Sequence, residues 1–100
     1  MDDQKSNIQQ KELILNKTCN LIEKLESVVT EWDDLYDAYQ ELMDYYSGEQ
    51  WINDVEASDT GAFSDMPHGV LSQDAVYNMY ADQRLVAFRL IRTALRYIEK

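Results

Sequence analysis

From Ile8 to Tyr46 the apolar residues of this chain fall into three adjoining rows spaced by seven, and this constrains the fold more than any other feature. One row is Ile8, Leu15, Ile22, Val29, Tyr36 and Met43. Beside it run Ile14, Leu21, Val28, Leu35 and Leu42. A third holds Leu25, Trp32, Tyr39 and Tyr46, its earlier members Lys11 and Thr18 being polar. Side chains seven apart stack on one face of an α-helix, and three such rows make a broad stripe suited to a helical bundle rather than a two-stranded seam. A strand would need alternation by two, which is absent here.

The pattern predicts one long helix over about 6–47. Ser6 is the expected N-cap, and Ser47-Gly48 the stop, with Gly48 taking the left-handed conformation that closes helices. The β-branched run Val28-Val29-Thr30 lowers helix propensity, and Thr30 followed by Asp33 has the form of a fresh cap. A three-helix bundle broken near Thr30 is therefore the alternative. Only 1 Pro and 3 Gly occur in 100 residues, which also favours an all-α chain forming a single domain over 1–100.

Residues 48–71 read as an ordered loop punctuated by Gly48, Gly61, Pro67 and Gly69. Trp51, Ile52, Val55, Phe63, Met66, Val70 and Leu71 anchor it, and 51–55 is a candidate helical turn. Ser72 then has the form of an N-cap, Asp74 suits the positive helix start, and a second helix is expected over about 73–98. Its buried face would hold Ala75, Val76, Met79, Tyr80, Val86, Ala87, Leu90, Ile91, Ala94, Leu95 and Ile98. At about 1.5 Å per residue the two helices span about 60 and 40 Å. Packed antiparallel, the shorter leaves Ile8, Leu13, Ile14 and Leu15 uncovered, and a homodimer would cover them.

Net charge is −10, and the charge is unevenly placed. No Lys or Arg lies between Lys24 and Arg84, a span carrying 14 Asp and Glu, while Arg84, Arg89, Arg92 and Arg96 follow. Such a surface repels phosphate, so neither nucleic acid nor an anionic membrane is expected as a direct ligand. A basic protein partner suits it. A nucleic-acid mimic that blocks a DNA-binding protein is the alternative, and would require carboxylates aligned on one exposed face.

Little points to catalysis. The chain lacks nucleophile-elbow, phosphate-loop, dinucleotide and zinc-helix motifs, and no cofactor is implied. His68 is the sole histidine and reads as a loop residue; Cys19 beside the apolar stripe reads as a half-buried small hydrophobe. A calcium loop begun at Asp54 would place Glu56, Ser58 and Asp65 as ligands, but puts Asp59 where the tight turn needs Gly. The absence of a secretory start and of a long apolar run suggests a cytoplasmic protein. Partner contacts, if any, are expected at Tyr46, Trp51 and Asp54 with Asp44 and Glu49, because Tyr and Trp beside acids suit a basic or amphipathic partner. On the structural reading of the same residues Trp51 plugs the bundle end, and Asp54 caps a turn or accepts a bond from the Trp51 indole or a backbone amide.

Tyr45-Tyr46-Ser47, Trp51 and Asp54, followed by Gly69-Val70-Leu71-Ser72 with Asp74, Ala75 and Tyr77, make the chain resemble domain-of-unknown-function family 4298. Pro67-His68-Gly69 is a shorter form of the family's Pro-and-basic lead into Gly-Val-Leu-Ser, and the Ser before Trp is displaced by one position. The resemblance covers nearly the whole chain and implies a bacterial, intracellular helical protein. It implies no activity, cofactor or partner.

Overall fold

The computed structural model describes residues 2–99, and these form four α-helices and one 3-10 turn, with no strand among them. Helix α1 spans Asp2–Asp34, α2 Tyr36–Tyr46, α3 Glu49–Asp59 and α4 Gln73–Ile98, and the 3-10 turn spans Gly69–Leu71. The chain resolves into two compact units, one up to Glu41 and one from Leu42 onward.

The three-row stripe is helical and runs unbroken through Thr30, as the periodicity predicts, with two corrections: the helix starts at Asp2 rather than Ser6, and Leu35 divides it into α1 and α2. Ser6 does not cap it but lies inside α1, which already includes Asp2 and Asp3; these acids occupy the first turn, where the dipole favours negative charge. Thr30 is not a break. The Val28-Val29-Thr30 run sits within α1, because β-branched residues cost only a few tenths of a kcal/mol each in a helix, about 0.7 kcal/mol at most. The interruption falls at Leu35 and is slight. Leu35 N–H donates to Glu31 O at 3.1 Å and Leu35 O accepts from Tyr39 N–H at 2.9 Å, so the backbone ladder continues across it.

No side chain of α1 is buried, and all its described residues except half-buried Trp32 are exposed. Cys19, expected to be half-buried, is exposed as well.

The second unit holds the main departure from expectation. Residues 49–59, read as loop apart from a turn at 51–55, form helix α3. Between Gly48 and Gly61 there is neither Gly nor Pro, and Trp51, Ile52 and Val55 keep a helical spacing. Gly48 precedes α3 in an extended conformation, φ −104° and ψ 174°, so it is not the left-handed glycine. That role belongs to Gly61, with φ 85°. Gly61 N–H donates to Ser58 O and Ala62 N–H to Ala57 O, the paired bonds that close a helix through a left-handed glycine.

The 3-10 turn packs against both α3 and α4. Ser72 caps α4 as expected, its Oγ accepting from Ala75 N–H at 3.2 Å, with Asp74 in the first turn. Of the Arg residues, Arg96 alone reaches the last turn of α4. The expected buried face of α4 is much thinner than its pattern suggests. Val76 is buried at 4% exposure, Met79 and Ala87 are half-buried, and Tyr80, Val86, Leu90, Ile91, Leu95 and Ile98 are exposed. Arg84 lies over the Phe88 ring one helical turn on, its guanidinium carbon 5.1 Å from the centroid.

Candidate functional site

The junction of α2 and α3 is tight because the last turn of α2 closes on itself. Ser47 N–H and its hydroxyl both donate to Met43 O, and Gly48 N–H donates to Tyr45 O. Only Ser47 and Gly48 separate the two helices, so Tyr45 and Tyr46 are brought beside Trp51 and Asp54. The Tyr46 and Trp51 rings meet edge to face, 5.0 Å between centroids and 66° between planes. The Trp51 indole N–H donates to Val70 O at 3.0 Å, tying α3 to the 3-10 turn 19 residues further on.

Asp54 lies three residues after Trp51 but does not take the indole bond, and it is not a helix cap. Its Oδ2 accepts from the Tyr45 hydroxyl at 2.6 Å, and its Oδ1 from the Gln50 side-chain amide at 3.0 Å. The indole is already held by the Val70 carbonyl, which leaves the carboxylate to the phenol and the amide. The bond to Asp54 holds the Tyr45 phenol above its ordinary value of 10.0; burial and the repulsion of a second negative charge act in the same direction. Tyr45 thus remains a donor through neutral pH.

Tyr45 and Asp54 form one wall of a pocket of about 310 Å³ completed by Phe63, Met66, Pro67, His68, Val70 and Leu71. The lining is mainly apolar, and the Asp54 carboxylate supplies its negative charge. His68 Nδ1 lies 2.8 Å from Met66 O and donates to that carbonyl.

Of the residues expected to make contacts, Tyr46, Trp51 and Asp54 come together, while Asp44 and Glu49 are exposed on α2 and α3 and do not line the pocket. Tyr46 and Trp51 are half-buried and support the junction, whereas Asp54 belongs to the pocket. The pocket itself escaped the sequence, because its floor comes from residues 63–71, whose approach to α2 follows from α3 being a helix. The anchors Phe63, Met66, Val70 and Leu71 are the signal of it that the sequence carries. His68, read as a plain loop residue, is a wall residue.

The site holds no acid–base relay among the described residues: no hydrogen bond joins His68 to Tyr45 or Asp54. Nor do the described residues bring three or more His, Cys, Asp or Glu side chains together as a metal site. Asp54, Glu56, Ser58 and Asp59 lie on helix α3, a geometry that cannot wrap a calcium ion as an ion-binding loop does. No helix of the described residues is long and apolar enough to cross a membrane.

No curated protein and no solved structure matches this chain. A family described as a domain of unknown function, DUF4298, matches residues 8–93, and by the extent of that match the chain belongs to it.

Proposed function

We propose that this chain is a non-catalytic interaction module of the cytoplasm, in which the apolar face of α1 receives a helix of another polypeptide. The carrying observation is the exposure of that face: Leu21 is 56%, Ile22 49% and Leu25 47% exposed, on a helix with no buried side chain. Covering a Leu or Ile fully stabilises by about 1.5–3 kcal/mol, so a stripe of this length is a strong attractor for an apolar partner face. The acids Glu26, Glu31, Asp33 and Asp34 lie on the same helix and favour a partner with basic edges, which they also steer during encounter. A second copy of the chain is one such partner, since its α1 carries Lys5, Lys11, Lys17 and Lys24 beside the same apolar rows. The lone exposed Cys19 suits a reducing compartment.

Affinity capture at low and high salt, run beside sedimentation of the purified chain, tests this reading. We expect either self-association or a basic partner whose capture falls as salt rises, and loss of the complex when Leu21 and Ile22 are both replaced by Ser. Helix content of the isolated chain should survive that double change. A strictly monomeric chain with no salt-sensitive partner, or a complex indifferent to the double substitution, overturns the proposal.

A further inference from the structure

We infer that the pocket walled by Tyr45 and Asp54 binds a small organic cation, an ammonium group carried on a compact apolar body. None of the residues that line it belongs to α1, so the two readings stand or fall independently.

The pocket volume, about 310 Å³, lies at the small end of the range that holds compact ligands. Its lining of Phe63, Met66, Pro67, Val70 and Leu71 is suited to an aliphatic or aromatic body. The polar end is defined by Asp54, whose two bonded partners, the Tyr45 hydroxyl and the Gln50 amide, are both neutral donors. No ion pair to Asp54 forms among the described residues, and residues 25–83 contain no Lys or Arg that could supply one. A carboxylate has about four acceptor positions, and the two bonds in place leave room for two more. Those bonds also hold the carboxylate in a fixed orientation, so a cation meets a preset acceptor rather than a mobile side chain. An ammonium group would therefore find a charge-assisted bond of the kind that is strongest in apolar surroundings. A neutral alcohol gains only the weaker bond, and a carboxylate ligand meets repulsion.

Phenethylammonium, 2-phenylethanol and phenylacetate have aromatic bodies of similar size and differ in charge, and so isolate the effect. Each is titrated into the isotopically labelled full-length chain at near-physiological salt, with amide chemical shifts as the readout. The expected result is saturable binding of the ammonium compound with a Kd on the order of 1 mM, shifts centred on Tyr45, Asp54, Phe63 and His68, and at least about tenfold weaker binding of the alcohol. Phenylacetate should leave the pocket amides unmoved. Asp54→Asn keeps an oxygen for the Tyr45 hydroxyl but removes the charge, and should weaken phenethylammonium by about tenfold or more with an otherwise native spectrum. Equal binding of alcohol and ammonium, lack of saturation, or shifts that track exposed acids throughout the chain would each overturn the inference. If Asp54→Asn fails to fold, the charge series on the unaltered chain decides alone.

Discussion

Helix α1 and the α2–α3 junction both carry large apolar side chains at helical spacing, yet they use them differently. In α1 the apolar side chains other than half-buried Trp32 are exposed, and the Thr18 hydroxyl bonds within its own helix, to Ile14 O at 2.8 Å. At the junction a few aromatic and polar groups reach across the chain: Trp51 to Val70 O over 19 residues and Tyr45 to Asp54 over nine. A repeated pattern of Leu and Ile specifies a helix and a face, but any apolar surface can cover that face. An indole N–H and a phenol O–H each need a particular acceptor, so they fix which segments meet.

The contrast can be broken most forcefully at Val76, the buried side chain of α4. Val76→Asp puts an unpaired charge there and should cost about 3 kcal/mol or more, read as a fall in Tm. Site-resolved amide exchange should show α3 and α4 opening first, with α1 little changed; equal loss of protection in α1 would show that the two regions do not differ as described. Trp51→Phe sharpens the comparison. It keeps a ring against Tyr46 but removes the bond to Val70 O, and we expect a loss of about 1 kcal/mol in denaturant unfolding. An unchanged midpoint would reduce the long-range bond to a bystander.

Tyr45 gives the smallest expected effect, and one with a pH signature. Its phenol is held above 10.0 in the folded chain, so its contribution is fully present below pH 10.0 and is lost as pH rises through the raised folded value. Tyr45→Phe should lower Tm by less than Trp51→Phe does at neutral pH, and should flatten the part of the alkaline Tm profile due to this pair. An identical alkaline profile in the variant would show that the Tyr45–Asp54 bond does not persist in solution.

Much of the local structure was legible in the residues. The start of α4 was readable because Ser72 and Asp74 act within their own turn, and the heptad rows announced α1. Helix α3 was missed because Gly48, Asn53, Ser58 and Asp59 weigh toward loop when counted singly, while the spacing of Trp51, Ile52 and Val55 weighs the other way. The same weighting puts the left-handed glycine at Gly48 rather than Gly61, because without α3 the end of α2 is the one helix end the pattern offers there. At the candidate site, the grouping of Tyr46, Trp51 and Asp54 was foreseeable from their closeness in sequence. The partners Tyr45, Gln50 and Val70 were not, because a donor's choice among nearby acceptors depends on where the backbone places them.

By itself, the sequence determined that this chain is helical and acidic, where α4 begins and ends, and which residues line the apolar faces of its helices. These follow from interactions within a turn or two, or from composition alone. Tertiary structure decided that Asp54 answers Tyr45, that Trp51 reaches Val70, and that residues 63–71 close a pocket beside Tyr45 and Asp54. Such choices are made between segments distant along the chain. They turn on ångström-scale differences in distance and angle, which no periodicity encodes.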